Sequence, residues 1–211
     1  MDAKETIKFL VEKYKIDLNQ PSPFNIDCGR YYEIPKLFTQ LGFKKGAEIG
    51  VYRASYSRNL LKRIVGLQNL LGVDAWELYK GYHDFDKIND IQDAHREAKE
   101  IAEEYGDRFT IIQGWSIEVA KTIPDESLDF VFIDANHAFE FVVADIAAWA
   151  PKVRKGGIIY GHDFDDYSHR TSRCYFMNVV NAVEGWTKSN KIHPWFILKG
   201  NKHKCWMYIR Q

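Results

Sequence analysis

Short apolar runs alternate with longer amphipathic segments through most of the chain. The apolar runs have the length of buried strands, and the segments between them carry apolar residues at three- and four-residue spacing, as helices do. The predicted strands are 47–51, 70–73, 109–112, 130–133 and 157–160. The predicted helices between them lie near 55–65, 88–105, 115–122 and 138–150. Strands that are apolar on both faces and separated by helices indicate a parallel sheet covered on both sides, and therefore an α/β fold.

The two ends of the chain have a different pattern. Residues 2–15 predict an amphipathic helix, 19–30 contain two prolines and predict a loop, and 32–41 predict a second helix. Near the C-terminus, a helix predicted over 173–188 precedes two apolar runs separated by the turn Gly200-Asn201. Two such runs around a Gly-Asn turn are typical of a hairpin, so the last strand should run antiparallel to its neighbours.

Composition narrows the class of partner. The 29 basic and 29 acidic residues give no formal net charge, so we expect neither a nucleic acid nor a membrane surface as partner. No apolar run approaches the roughly 20 residues of a membrane span, and the first residues lack a signal-peptide pattern. The three cysteines are odd in number and far apart, which favours a reducing compartment. We therefore expect a cytoplasmic protein.

The turn after the first predicted strand carries the first candidate binding residues. The strand contains Glu48 and ends at Gly50, and a polar turn with Tyr52 and Ser55 leads into the next helix. In open α/β sheets, ligands bind beyond the carboxyl ends of the strands. A dinucleotide loop would carry a second glycine where Tyr52 stands, and a Walker-type loop is also missing. The turn therefore favours a nucleoside ligand without a pyrophosphate.

Asp74 ends the second predicted strand, where an acid about 20 residues beyond the glycine turn can accept hydrogen bonds from ribose hydroxyls. The alternatives for Asp74 are a helix cap or a solvated loop acid. Glu48 either orients the turn or meets an ammonium group. S-adenosylmethionine combines a ribose, an adenine and an ammonium group with no phosphate.

Four ordered blocks resemble the class I S-adenosylmethionine-dependent methyltransferases, especially small methyltransferases similar to metal-dependent small-molecule O-methyltransferases. The blocks are AEIGVYR (47–53), GVDAW (72–76), SLDFVFIDANH (127–137) and KGGIIYGHDF (155–164). The resemblance implies a Rossmann-like, doubly wound, seven-stranded sheet, mostly parallel with an antiparallel C-terminal strand. The chain departs from the family pattern at Ala54 and Ala135, where glycine is common.

Together, the strand-end pattern and the resemblance give a set of candidate cofactor contacts. They are Glu48, Gly50, Tyr52, Ser55, Asp74, Ala75, Trp76, Gly114, Trp115, Ser116 and Asp134. The aromatic segment 76–85 is expected either to pack on the sheet edge or to form a lid.

A metal site and a catalytic base are expected at two neighbouring strand ends. Asp134 ends the fourth predicted strand, and His162 and Asp163 end the fifth. The two carboxylates favour magnesium or manganese, and His162 shifts the preference toward manganese or iron; such an ion would lower the pKa of a substrate hydroxyl. The alternative is a hydrogen-bonded cluster that shapes the loop. His137 is the candidate general base, with a cap or surface role as its alternative.

The leading hypothesis is a methyltransferase that uses S-adenosylmethionine to methylate a hydroxyl of a small molecule such as a sugar or natural product. In this hypothesis, residues 1–42 are a helical extension packed on a methyltransferase domain, 43–211, and the whole chain is a single domain. The alternatives are a nicotinamide-dinucleotide oxidoreductase and a non-catalytic S-adenosylmethionine-binding protein. The sequence leaves the oligomeric state open, and a homodimer is one alternative.

Overall fold

The structure is a computed structural model that describes residues 1–79, 88–165, 177–200 and 202–211. Most of the expected lid or edge segment, 76–85, lies outside these residues. The same holds for the first residues of the helix predicted over 173–188, for Cys174 and for Asn201 of the predicted turn.

The described residues form one eight-stranded sheet with the order β1-β7-β8-β6-β5-β2-β3-β4. The strands are β1 (Phe24–Ile26), β2 (Lys45–Ile49), β3 (Asn69–Asp74), β4 (Phe109–Gln113), β5 (Leu128–Ile133), β6 (Val153–Gly161), β7 (Trp195–Leu198) and β8 (Cys205–Ile209). Only β8 runs against the others, since its pairings with β6 and β7 are antiparallel and all other pairings are parallel.

Seven α-helices lie in the described part of the chain, with short 3-10 turns at Gly106–Arg108 and Ala150–Lys152. The helices are α1 (Ala3–Tyr14), α2 (Glu33–Gln40), α3 (Ser55–Arg63), α4 (Ile88–Tyr105), α5 (Ser116–Ala120), α6 (Phe139–Trp149) and α7 (Val179–Ser189). None of these described helices has the length and hydropathy that crossing a membrane requires.

The alternating side chains of each strand build two cores. Along β5, Phe130 and Phe132 belong to one apolar cluster, and Val131 and Ile133 belong to the other. Helices α1 to α4 pack into the first cluster and α5 to α7 into the second. The sheet is therefore covered on both faces, which is why its central strands lack the polar face of a half-exposed sheet.

The predicted fold class is confirmed, including the antiparallel C-terminal strand and the β7–β8 hairpin. The structure has one strand more than the expected seven. The additional strand, β1, lies in the segment predicted as a loop, and it pairs in parallel with β7 at the sheet edge. Three residues that follow two prolines are too short for a period of two to be recognised in the sequence.

The first helix illustrates how the N-terminal segment is fixed. Asp2 accepts a hydrogen bond from the Glu5 amide at 2.9 Å, and Glu5 accepts one from the Asp2 amide at 2.8 Å, so the two residues form a capping box. The Thr6 hydroxyl, which is buried, donates to the Gly156 carbonyl of β6 at 2.9 Å. These contacts join α1 to the main sheet.

The strand order places a reversal between β2 and β5. From β2 the chain continues outward to β3 and β4, whereas β5 and β6 lie on the other side of β2. At such a reversal the loops leave in opposite directions and open a crevice at the carboxyl ends of the strands. The ends of β2, β3, β5 and their following turns are therefore where a binding site is expected.

Replacing Phe130 with alanine tests the first core. Phe130 is fully buried and its ring lies 4.6 Å from that of Phe38, centroid to centroid, so the substitution leaves a cavity. We expect a loss of about 3–5 kcal/mol in the free energy of unfolding, measured by urea denaturation. As a control, Phe139→Ala at a 46% exposed position should change it by less than about 0.5 kcal/mol. Equal losses would contradict this assignment of the core.

Candidate active site

A cavity of about 690 Å³ opens at the carboxyl ends of the strands. It is lined by the turns after β2, β3, β4 and β5, together with parts of α5, α6 and the segment before α2. All the candidate cofactor contacts line it: Glu48, Gly50, Tyr52, Ser55, Asp74, Ala75, Trp76, Gly114, Trp115, Ser116 and Asp134. The candidate base His137 lines it as well.

The turn after β2 depends on left-handed backbone. Gly50 has a φ of 89°, and Tyr52 and Ala54 follow with φ values of 49° and 54°. A Cβ atom at Gly50 would lie 2.1 Å from the Asp134 carbonyl oxygen, so this position excludes any side chain. Ala54 is fully buried and holds the left-handed conformation that glycine adopts more easily, so the turn forms here with an alanine at this position.

Asp74 ties two turns together. Its two carboxylate oxygens accept hydrogen bonds from the Tyr52 and Trp76 amides, both at 2.9 Å. Burial raises the pKa of Asp74, and these backbone hydrogen bonds partly oppose the shift. Each carboxylate oxygen has a second lone pair, so the group can still accept from a ligand hydroxyl.

Glu48 lies under the turn and is only 2% exposed. It accepts a hydrogen bond of 2.5 Å from the Ser57 hydroxyl in the first turn of α3. Burial raises the pKa of Glu48 to about 8, although the Ser57 hydrogen bond acts in the opposite direction. Of the two roles considered for Glu48, this contact fits the one that orients the turn.

The two tryptophans of the site have different environments. The Trp76 ring is buried, stacks on His95 with 4.4 Å between centroids, and donates its indole N–H to the Tyr52 carbonyl. The Trp115 ring is 42% exposed and meets Tyr79 edge to face at 4.6 Å. Trp115 therefore offers more ring surface to a flat ligand group than Trp76 does.

A buried hydrogen-bond network forms one wall of the cavity. The Trp149 indole N–H donates to the Ser116 hydroxyl at 2.8 Å, and Ser116 also hydrogen-bonds to the carboxyl group of Asp145. Asp145 is 4% exposed, and burial raises its pKa to about 6. Sequence reasoning missed Asp145, although an acid in the buried stripe of helix α6, among apolar residues, was a detectable signal.

The expected metal ligands and the expected base are brought together. We call Asp134, His137, His162 and Asp163 the acid–imidazole cluster. Oδ2 of Asp163 lies 3.1 Å from Nε2 of His137 and 3.1 Å from Nδ1 of His162. Oδ1 of Asp134 lies 3.4 Å from the same His137 nitrogen and 3.7 Å from the same His162 nitrogen. His162 and Asp163 lie beside the cavity lining, whereas Asp134 and His137 are part of it.

The donor set of this cluster suits a divalent cation. One ligand atom from each of Asp134, His162 and Asp163 lies within 4.8 Å of the other two. Burial alone would raise the pKa of Asp163, but hydrogen bonds from His137 and His162 outweigh it and hold the pKa well below its usual range. Asp163 is therefore a carboxylate, the form that a metal ion binds.

Arg30 is the main cavity residue that the sequence did not indicate. It lies in the segment between β1 and α2, and its Nη1 is 3.3 Å from Oδ2 of Asp134. Its position depends on tertiary contacts between the N-terminal segment and the sheet, for which a single arginine in a loop gives no signal.

Comparisons with known proteins identify the family. A family model described as a methyltransferase domain matches residues 47–164, more than half of the chain. The chain therefore belongs to this methyltransferase family. The resemblance to class I S-adenosylmethionine-dependent methyltransferases, predicted from the four sequence blocks, is confirmed. No curated protein sequence matches the chain.

Solved structures show the same fold at low sequence identity. The SAH-bound methyltransferase from Podospora anserina has a TM-score of 0.60 and 16% identity, over 84% of this chain and 76% of that one. The O-methyltransferase from Bacillus cereus in complex with SAH has a TM-score of 0.60 and 16% identity, over 98% and 90%. The spermidine synthase from Thermotoga maritima has a TM-score of 0.52 and 15% identity over 86% of this chain, which spans only 57% of that protein.

Two glycines with the same backbone angle allow the close approach at Gly50 to be tested. Gly50 and Gly66 both have φ of 89°, but a Cβ at Gly66 would meet nothing within 4 Å. Gly66→Ala should cost about 1–2 kcal/mol of backbone strain. Gly50→Ala should cost at least about 2 kcal/mol more, since overpacking against Asp134 is added. Urea denaturation measures both variants, and equal costs would contradict the predicted steric clash.

The buried carboxyl of Asp145 should make stability depend on pH. Its pKa rises from 3.8 to about 6 on folding, so the folded chain holds the proton more tightly and loses stability as pH increases through this interval. Asp145→Asn removes the effect. The free energy of unfolding of the variant minus that of wild type should increase by about 2–3 kcal/mol between pH 4 and pH 7, because only wild type loses this stability. Urea denaturation at the two pH values measures the difference.

The exposed residue Asp107 provides the control for this measurement. Asp107→Asn should leave the difference from wild type the same at both pH values. If Asp145→Asn also showed no change with pH, burial would not be raising the pKa of this carboxyl group.

Proposed function

We propose that the chain is a cytoplasmic methyltransferase that transfers the methyl group of S-adenosylmethionine to a hydroxyl of a small molecule such as a sugar or natural product. The observation that carries the proposal is the position of the acid–imidazole cluster, whose Asp134 and His137 form part of the wall of a cavity large enough for an adenosyl ligand. The family match supports the reaction class.

The cavity residues fit S-adenosylmethionine in size and chemistry. Gly50 lines the cavity at the β2 turn, and Asp74 can accept from the ribose hydroxyls. Trp115 and Ser116 would lie against the adenine. When bound, S-adenosylmethionine supplies an electrophilic methyl group on a sulfonium. The residues Glu48, Gly50, Tyr52, Ser55, Ala75, Trp76 and Gly114 complete the proposed site.

His137 is proposed as the general base. Its Nε2 lies 3.1 Å from an oxygen of Asp163 and 3.4 Å from an oxygen of Asp134. When His137 accepts the proton of the acceptor hydroxyl, these carboxylates stabilise the imidazolium that forms. The acceptor oxygen would approach the methyl group in line with the departing thioether, and the fixed strand ends supply the positioning.

The acid–imidazole cluster can also hold a divalent cation. Asp134, His162 and Asp163 would be the ligands; the carboxylate oxygens favour magnesium or manganese, and the imidazole nitrogen shifts the preference toward manganese. A bound cation would lower the pKa of the acceptor hydroxyl. The other oxygen of Asp134 faces Arg30, so its two oxygens can serve the cation and the arginine separately.

The aromatic lining of the cavity supports a small molecule as the acceptor. The half-exposed ring of Tyr31 lies in its lining and can stack on a flat ring or the apolar face of a sugar. The chain has no net charge, unlike the basic surfaces that bind nucleic acids.

Calorimetric titration and a turnover assay test the proposal. Wild type should bind S-adenosylhomocysteine and should methylate at least one member of a panel of hydroxyl-bearing acceptors. His137→Gln should lower kcat by a factor on the order of 10²–10⁴ while changing the Kd for S-adenosylhomocysteine little. Asp134→Ala should abolish turnover. The matched control His193→Gln, at an exposed position, should leave kcat unchanged.

The same titration with added magnesium or manganese tests the cation. Binding heat should appear in wild type and disappear in Asp163→Asn. Failure of wild type to bind S-adenosylhomocysteine would contradict the proposal. Binding without transfer to any acceptor would favour a non-catalytic binding protein, and near-normal turnover of Asp134→Ala would contradict the assigned site.

A further inference from the structure

Arg30 comes from a part of the chain that the family match does not include. The match begins at residue 47, whereas Arg30 lies between β1 and α2. The backbone around it is held by side chains of α3. The Tyr56 hydroxyl donates to the Arg30 carbonyl at 3.2 Å, and the Asn59 amide donates to the Tyr31 carbonyl at 3.1 Å. The N-terminal segment is therefore fixed against the wall of the cavity.

The guanidinium of Arg30 is held by aromatic rings and one carboxylate. It lies 4.9 Å from the ring centroid of Tyr31, 5.3 Å from that of Tyr56 and 6.0 Å from that of Phe132. Its Nη2 donates to the Tyr31 hydroxyl at 2.9 Å, and its Nη1 contacts Asp134. The side chain is 15% exposed, so the arginine is a largely buried, preorganised cation.

Electrostatics keeps this cation charged. Burial opposes the charged form, but the Asp134 carboxylate together with Tyr31 and Cys205 outweighs burial and raises the pKa of Arg30 further. A guanidinium has five N–H groups in a planar fork, so it can contact Asp134 and a second carboxylate at the same time.

The charges of the cavity lining leave few places for a ligand carboxylate. Among the described lining residues, most charged side chains are acidic, and the arginines are Arg30 and Arg53. Arg53 is paired with Glu97 of α4, on the exposed side of the β2 turn. In the proposed function the adenine lies after β4 and the ribose after β3, so the amino-acid part would extend the other way along the sheet, to the ends of β2 and β5. Arg30 lies there, beside Asp134.

We infer that Arg30 binds the carboxylate of the amino-acid part of S-adenosylmethionine, so that the N-terminal segment completes the cofactor site. The inference rests on the proposed function. The acidic lining provides partners for the ammonium group of the same amino-acid part, and Arg30 provides the partner for its carboxylate. Arg30 would thereby select ligands that carry both groups over ligands that lack the carboxylate.

Comparing S-adenosylhomocysteine with its decarboxylated analogue tests this role. The two ligands differ only in the carboxylate. Wild type should bind S-adenosylhomocysteine about 10–100 times more tightly than the analogue, the range expected for a charged hydrogen-bonded contact. Arg30→Met should reduce this ratio to near 1 by weakening only S-adenosylhomocysteine, as measured by calorimetric titration.

Arg30→Lys and Arg53→Met are the companion variants. Arg30→Lys keeps the positive charge beside Asp134 and loses the planar fork, so it protects the fold if Arg30→Met is unstable and should give an intermediate ratio. Arg53→Met removes another arginine of the lining and should leave the ratio at its wild-type value.

The outcomes separate the inference from the proposed function. An unchanged ratio in both Arg30 variants, or equal weakening of both ligands, would overturn the role of Arg30 while leaving the cofactor assignment intact. If wild type bound neither ligand, the proposed function would fail, and the inference would fail with it.

Discussion

The close approach of two strand ends is the constraint on which the site depends. Gly50 leaves β2 with a left-handed backbone and no side chain, so its Cα lies directly against the backbone of Asp134 at the end of β5. The Asp134 amide donates to the Ile49 carbonyl at 2.8 Å, and the Gly50 amide donates to the Val73 carbonyl at 2.9 Å. The ends of three strands are thus joined by backbone hydrogen bonds before any side chain contributes.

Two kinds of site are built on this frame. On one side, the Asp74 carboxylate accepts hydrogen bonds from backbone amides in the turns after β2 and β3 and so holds the two turns together. The residue proposed to bind the ligand therefore also stabilises the local structure. On the other side, one carboxylate oxygen of Asp134 contacts Arg30, and the other faces His137 and His162. One carboxylate therefore connects the proposed cofactor end of the cavity to the proposed acceptor end.

Sequence reasoning succeeded where the sheet itself decides the geometry. The carboxyl ends of parallel strands meet at one edge, so Gly50, Asp74, Asp134 and Asp163 could be predicted to converge from strand pattern alone. It failed where a side chain reaches the site from a segment without periodicity, as Arg30 does. The strand β1 was missed for a related reason, because its pairing partner, β7, is some 170 residues away along the chain and supplies the hydrogen bonds that define it.

The small strand β1 also has a consequence for how the chain behaves among its own copies. Strand β7 (Trp195–Leu198) is almost entirely apolar and mostly buried, and β1 covers the edge that it would otherwise present. Unpaired apolar edges are templates for strand addition between molecules. A short strand that follows two prolines ends the sheet with little length for another chain to pair with. The segment that brings Arg30 to the cavity thus also limits edge-to-edge aggregation.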